Sequence, residues 1–113
     1  KAGTFVEPKI ETVAAAAAGV ADNIAPDLRA SIVNAPGQNA YPVSGFTWQL
    51  VYKNIPDKPK AIALTRLFWW EIHEAQRFNA DLGYAPPPEG IVKRAEEKIL
   101  SITSGGERAL PGQ

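Results

Sequence analysis

The side chains able to do chemistry are few, because the chain contains one histidine and no cysteine. The histidine, His73, lies between Glu71 and Glu74 in a segment with helical periodicity. Residues one or two positions apart on a helix point in different directions, so these three side chains fan outward and cannot converge on a metal ion. We therefore assign no metal site and no catalytic residue, and we expect His73 to lie on a solvated helix face.

Two pairs of acidic residues are the next candidates for acid and base chemistry. Glu96 adjoins Glu97, and Asp22 lies close to Asp27. All four lie among lysines and arginines, which is typical of solvated surfaces rather than of paired catalytic carboxylates. No nucleophile with a neighbouring base is found, so we predict that the chain is not an enzyme and needs no cofactor.

Two glycine-containing stretches raise the question of phosphate binding. Backbone amides bind anions where a loop leads into the N-terminus of a helix. Residues 104–106 follow a predicted helix instead, and residues 44–47 open a predicted strand. We interpret Ser44, Gly45 and Thr47 as turn and strand-start residues, which makes them only secondary candidates for ligand contacts.

The overall composition excludes several classes of protein. The 113 residues are 45% hydrophobic, which suits one small core, and twelve basic and twelve acidic residues cancel. Without a basic stripe no nucleic-acid partner is expected, and the longest apolar run is far below the ~20 residues that span a bilayer. Because methionine is absent, we expect the chain to be a piece of something longer.

The first secondary-structure element that could position these residues is an alanine-rich helix, predicted over residues 8–21. Residues 28–33 predict a short strand, and the Asn-Ala-Pro-Gly sequence at 34–37 predicts a turn. A second strand is predicted over residues 46–53, because Phe46, Trp48, Leu50 and Tyr52 alternate with polar or smaller residues and form one apolar face.

The second half of the chain predicts two helices. Apolar residues at steps of three and four indicate a long helix over about 58–82, ended by Gly83, and a C-terminal helix follows over about 88–102. Residues 104–113 are expected to be a frayed tail. The pattern favours an α/β fold of few strands flanked by helices, with a sheet completed by another chain or by missing sequence.

Trp69 and Trp70 are adjacent on the long predicted helix and therefore point about 100° apart. We expect one to pack inside and the other to lie at a rim. At that rim it would either complete the boundary of the core or contact a second lobe or a partner.

Six short stretches form a familiar pattern along the chain: residues 5–8, 34–37, 41–47, 50–53, 69–74 and 82–86. The most specific are the Tyr-Pro-x-Ser-Gly-Phe-Thr sequence at 41–47 and the Trp-Trp-x-Ile-His-Glu sequence at 69–74. In this order, the six stretches resemble the C-terminal part, about the last third, of the periplasmic phosphate-binding proteins of ABC transporters.

The resemblance implies a fragment of a type II periplasmic binding protein fold, in which two α/β lobes enclose phosphate. Residues 1–41 are then expected to end the second lobe, and residues 46–113 to complete the first. The crossover, or hinge, between them corresponds to Tyr41, Pro42, Val43, Ser44 and Gly45.

The same resemblance implies a role in phosphate transport outside the cytoplasm, with the missing N-terminal portion and membrane permease subunits as partners. The family's phosphate ligands match no position of this chain, so Ser44, Gly45 and Thr47 are at most cleft-side neighbours. We expect this piece alone to bind phosphate weakly or not at all. The alternative is a structural module that self-associates into a homo-oligomer, for example by exchange of strands at the hinge.

Overall fold

The computed structural model describes residues 3–110, and its first helix, α1, spans Ile10–Ala18. The Thr12 hydroxyl closes the start of this helix by donating to the Glu7 carbonyl at 2.6 Å and accepting from the Lys9 amide at 2.9 Å. A short 3₁₀ turn, Ala21–Asn23, follows. The predicted helix over 8–21 is therefore confirmed in its centre but is shorter at both ends.

The second helix, α2, spans Lys58–Ile72, and the Asp57 side chain caps its first turn by accepting from the Lys60 amide at 3.1 Å. Two short 3₁₀ helices, Glu74–Phe78 and Ala80–Leu82, replace the rest of the predicted helix over 58–82. A reason is visible at the junction, where the Gln76 side chain donates to the Glu71 carbonyl at 2.6 Å. Gly83 ends the segment with a φ of 76°, as predicted for a left-handed terminating glycine.

The third helix, α3, spans Glu89–Leu100, which confirms the helix predicted over about 88–102. The predicted frayed tail is wrong for the described residues, because β1 (Thr103–Ser104) and β2 (Glu107–Arg108) form an antiparallel hairpin. Gly105 and Gly106 supply the positive φ values of 60° and 88° that its two-residue turn requires. Residues 111–113 of the predicted tail lie outside the described residues.

Neither predicted strand forms in the described structure. Residues 28–33 have no strand pairing, and Leu28 adopts a φ of 65°, which departs from extended backbone. Residues 46–52 join no ladder, and the parallel bridge between Asn54 and Thr103 begins only beyond them. The physical reason is that a strand needs a neighbour to accept its hydrogen bonds, whatever its side-chain alternation predicts.

The apolar interior is divided into two small clusters. One joins α1 to the following loops and contains Ala16, Ala17, Ile32, Ala35 and Ala40. The other joins α2 to the hairpin and contains Ile55, Ala61, Ile102 and Ala109. Within residues 3–110 the structure is a mixture of helices and one two-stranded sheet, which is compatible with a fragment of an α/β protein.

The molecule is elongated, with principal extents of 52 × 28 × 21 Å. Its radius of gyration is 15.9 Å, compared with about 13 Å for a compact domain of about 100 residues. Several of the exposed large apolar side chains lie on residues 43–52, where Leu50 is 98% and Tyr52 is 86% exposed.

Candidate functional site

The connector, residues 34–40, leads into the predicted hinge at residues 41–45 and is held against α1. The Asn34 amide donates to the Pro42 carbonyl at 2.8 Å, and the Tyr41 amide donates to the Thr12 carbonyl at 3.0 Å. Ala40, directly before these residues, is buried in the first apolar cluster. The chain is therefore held at Tyr41 and Pro42 from two sides.

The three secondary candidates for ligand contacts differ in their surroundings. Ser44 is buried, and its hydroxyl donates to the Tyr41 carbonyl at 2.9 Å, so it closes a turn. Gly45 and Thr47 are exposed, and a Cβ atom at Gly45 would meet nothing within 4 Å. The Ser44 hydroxyl therefore already has a protein partner, whereas Gly45 and Thr47 are open to solvent.

Residues 45–52 differ from the preceding segment in their backbone hydrogen bonds. Within residues 3–110, no backbone hydrogen bond joins residues 45–52 to another segment. Side chains hold the start of this stretch. Phe46 packs against the first apolar cluster, the Trp48 indole donates to the Leu28 carbonyl at 3.1 Å, and the Trp48 ring meets Phe46 edge to face at 5.8 Å. Thus Ser44 and Gly45 mark a boundary between anchored and unpaired backbone.

An open groove of about 350 Å³ lies between the start of the described chain and the connector. Its lining includes Thr4, Phe5, Thr12, Gln38 and the ion pair of Lys9 with Glu7. The Lys9 ammonium lies 2.6 Å from the Glu7 carboxylate, which neutralises the positive charge that an anion would need. The groove is therefore poorly suited to bind phosphate.

The buried donors of the described residues, and several of the cations, already have partners. Every buried side-chain nitrogen or oxygen in this part of the chain has a hydrogen-bond partner. Arg94 donates to the Ile24 and Asp22 carbonyls, and Arg29 binds Asp27. The amide and guanidinium of Arg29 hold the pKa of Asp27 below its usual value. An enclosed oxyanion site needs several preorganised donors without protein partners, and residues 3–110 present no such set.

His73 lies in a different environment from the one predicted. Its Nδ1 lies 2.7 Å from the Trp69 carbonyl oxygen, and its Nε2 lies 2.8 Å from Oε1 of Glu96 on α3. These contacts, the Trp69 carbonyl first, raise the pKa of His73 above 6.5, while burial opposes them. The predicted solvated face is therefore wrong. Sequence reasoning missed the pair because Glu96 follows 23 positions later, on another helix.

The neighbours of His73 do not assemble a metal centre. Among the described residues no group of three or more histidine, aspartate or glutamate side chains is placed to hold a metal ion. Glu74 is exposed. The hydrogen bond of Glu71 at this junction is made by its backbone carbonyl, which accepts from the Gln76 side chain.

The two adjacent tryptophans contact different neighbours, but neither is buried, so the prediction that one of them packs inside is wrong. Trp69 is partly buried, and its ring lies 4.6 Å from the ring of His73. Trp70 is 39% exposed and lies 6.4 Å from Phe78, over which the Arg77 guanidinium is placed at 4.8 Å. The more exposed side chain therefore belongs to a small aromatic surface on the 3₁₀ segment.

Comparison with known proteins identifies relatives of this chain. A phosphate-binding protein PstS of Xylella fastidiosa is 33% identical over 95 residues, which cover 84% of this chain. The PstS protein of Methanocaldococcus jannaschii is 35% identical over 105 residues, and that of Pasteurella multocida is 27% identical over 96 residues. These cover 82% and 85% of this chain.

The chain is related to the PstS phosphate-binding proteins. It spans only about a quarter of their length: 26% in Xylella, 27% in Methanocaldococcus and 28% in Pasteurella. The similarity therefore extends over a limited part of proteins that are named for phosphate binding.

Other comparisons add no further relatives. No protein-family model matches the chain, and no solved structure matches it significantly. Among the helices of residues 3–110, none is both long and apolar enough to cross a membrane.

Proposed function

We propose that this chain is the C-terminal part of the substrate-binding component of a phosphate ABC importer. The whole protein binds inorganic phosphate between two lobes outside the cytoplasm, in the periplasm where one exists, and delivers it to permease subunits in the membrane. The observation that carries this proposal is the similarity to PstS phosphate-binding proteins over 84% of the chain.

The phosphate ligands of the whole protein come mainly from residues outside this chain. Two observations support this part of the proposal. The buried polar side chains of residues 3–110 already have partners, and the cation in the open groove is paired with Glu7. The contribution of this chain is therefore a cleft wall and a hinge, with Ser44, Gly45 and Thr47 as its cleft-side residues.

The hinge comprises Tyr41, Pro42, Val43, Ser44 and Gly45, between residues 1–41 of one lobe and residues 46–113 of the other. The change from anchored backbone at Tyr41 to unpaired backbone after Gly45 supports this placement. A Cβ atom at Gly45 would meet nothing within 4 Å, and a glycine adopts a wider range of backbone angles than any other residue.

The missing portion of the same protein is the partner of residues 46–52. This stretch has apolar residues at alternate positions, a backbone without backbone partners in residues 3–110, and almost fully exposed Leu50 and Tyr52. Pairing with strands of the remaining chain satisfies the backbone groups and covers the apolar face in one step.

Titration calorimetry with inorganic phosphate tests the proposal on two samples: this chain and the longer protein that contains it. We expect the longer protein to bind phosphate and this chain alone to give no heat above dilution. In the longer protein, Thr47→Val should weaken phosphate binding, whereas Ser31→Ala, an exposed hydroxyl outside the hinge, should not. Tight binding by the isolated chain would refute the assignment of the ligands, and no binding by the longer protein would refute phosphate as the ligand.

The exposed apolar face also favours a second candidate function, a structural module that associates with copies of itself. In that case residues 46–52 pair between copies of this chain. Sedimentation velocity at several concentrations separates the two. A monomer that forms a one-to-one complex with the remainder of the longer protein supports the transporter role, and a stable homo-oligomer that excludes that remainder supports the module.

A further inference from the structure

His73 occupies the junction at which α2 ends and the 3₁₀ segment begins. Both of its ring nitrogens have partners: the Trp69 carbonyl on α2 at 2.7 Å and the Glu96 carboxylate on α3 at 2.8 Å. The ring thus connects the last turn of one helix to the middle of the next. Each side chain of the His73–Glu96 pair is 31% exposed, so water screens the contact only in part.

The two partners determine how many protons the ring must carry. A backbone carbonyl oxygen only accepts, and an ionised carboxylate only accepts. A neutral imidazole has one N–H, so it can satisfy one of these partners while its second nitrogen faces an acceptor with a lone pair. Only the imidazolium form donates to both at once.

The charges around the ring favour the same form. From its own segment Glu74 faces His73 with a negative charge, and from α3 Glu96 does so. Lys93 on α3 interacts with Glu96 but is itself bound to Glu89 at 2.7 Å. The Trp69 ring, 4.6 Å away, presents an aromatic neighbour that also favours a cation.

We propose that His73 is a proton-dependent clamp between α2 and α3, closed when both ring nitrogens are protonated and weakened when one proton is lost. In the closed form the donor pair fixes the end of α2 and the start of the 3₁₀ segment against Glu96. In the open form one of the two bonds is replaced by a contact between two acceptors. This device is independent of the proposed role in phosphate transport.

The direction of the pH dependence follows from linkage. The pKa of His73 is raised in the folded chain by its bond to the Trp69 carbonyl, its contact with Glu96 and the charge of Glu74. A raised folded-state pKa gives stabilisation that is fully present below the ordinary value of 6.5 and is lost as the pH rises through the folded-state pKa. The clamp is therefore closed in mildly acidic solution and opens toward alkaline pH.

Histidine-selective ¹⁵N labelling and NMR titration test the clamp directly. The resonances absent from a His73→Gln variant identify the ring, either in this chain or in a longer protein that contains it. We expect a folded-state pKa above 6.5 and, below it, a spectrum with both nitrogens protonated. Glu96→Gln should return the pKa toward 6.5, whereas Glu97→Gln, an exposed neighbour on the same helix, should leave it in place.

A second measurement keeps the proposal testable should a variant fold poorly. In the unaltered protein, denaturant unfolding from pH 5.5 to 8.5 should show stability that falls with rising pH, and His73→Gln should flatten that dependence. A His73 pKa at or below 6.5, or a pKa that Glu96→Gln and Glu97→Gln change equally, would overturn the clamp.

Discussion

Arg94 on α3 donates from Nη1 to the carbonyl oxygen of Ile24 at 3.0 Å, across 70 positions of sequence. Its second terminal nitrogen reaches the Asp22 carbonyl at 3.4 Å. The guanidinium therefore closes the end of the 3₁₀ turn after α1, where two backbone carbonyls lack partners within the helix. It connects segments on either side of the predicted hinge at residues 41–45.

Removal of this side chain should destabilise the chain. We expect Arg94→Ala to lower the free energy of unfolding by about 1.5 kcal/mol, because a charged donor is lost from two carbonyls. Arg94→Lys should recover only part of it, since a single ammonium cannot reproduce the fork. Urea unfolding measures the change, and exposed Arg66→Ala is the control. Equal effects at positions 94 and 66 would contradict the role assigned to the fork.

The first apolar cluster should depend on Ile32, which is 1% exposed and has the largest fully buried aliphatic side chain. Ile32→Ala should lower the free energy of unfolding by about 3 kcal/mol through lost contacts and a residual cavity. The neighbouring Val33→Ala, at a side chain 64% exposed, should change it by less than about 0.5 kcal/mol. Thermal and urea unfolding of both variants provide the comparison, and a small effect at Ile32 would argue against this cluster.

Gly19 and Gly90 should respond in opposite ways to alanine. A Cβ atom at Gly19 would lie 2.6 Å from the Pro36 carbonyl oxygen, so Gly19→Ala must separate α1 from the connector and should destabilise by about 1–3 kcal/mol. At Gly90 the nearest atom is the Ala21 Cβ at 3.6 Å, an ordinary contact. Gly90→Ala should therefore stabilise α3 by about 0.5 kcal/mol. Differential scanning calorimetry distinguishes them, and a stabilising Gly19→Ala would disprove the close approach.

Leu50 provides a test of the proposed partner. Because its side chain is 98% exposed, Leu50→Lys should leave the stability of this chain within about 0.5 kcal/mol of the original. In a longer protein that covers residues 46–52, the same change should cost about 2 kcal/mol by burying a charge in place of a leucine. Gln49→Lys, on the alternate side of the extended backbone, is the control. If Leu50→Lys has the same effect in both proteins, nothing covers this face.

The helices were the most predictable part of the fold. The positions of α1 and α3 follow from apolar spacing and helix-compatible composition. The apolar residues whose spacing predicts the long helix are Leu64, Phe68, Ile72, Ala75, Phe78 and Leu82, and of these Leu64 and Phe68 do pack on the second cluster. Beyond Ile72 the prediction from this spacing is wrong, since the helix ends there and Phe78 and Leu82 are 45% and 69% exposed. Periodicity alone contains no information on the Gln76 side chain competing for the Glu71 carbonyl.

The strands and the His73 pair were less accessible to prediction. The alternation at residues 46–53 predicts a strand, and this prediction is wrong because a strand requires partners that residues 3–110 do not provide for 46–52. The small hairpin was missed because its pairs span only four residues, and the two glycines of its turn suggested a frayed tail.

What the sequence by itself determined is local. It specified three helices, the terminating Gly83 and the relationship to phosphate-binding proteins, because helix hydrogen bonds and motifs lie within short stretches of chain. The tertiary structure decided which faces are covered and which charges meet. Three contacts join residues 17 to 70 positions apart: His73 with Glu96, Arg94 with Ile24, and Gly19 with Pro36. Only the packing of helices and loops brings these residues together.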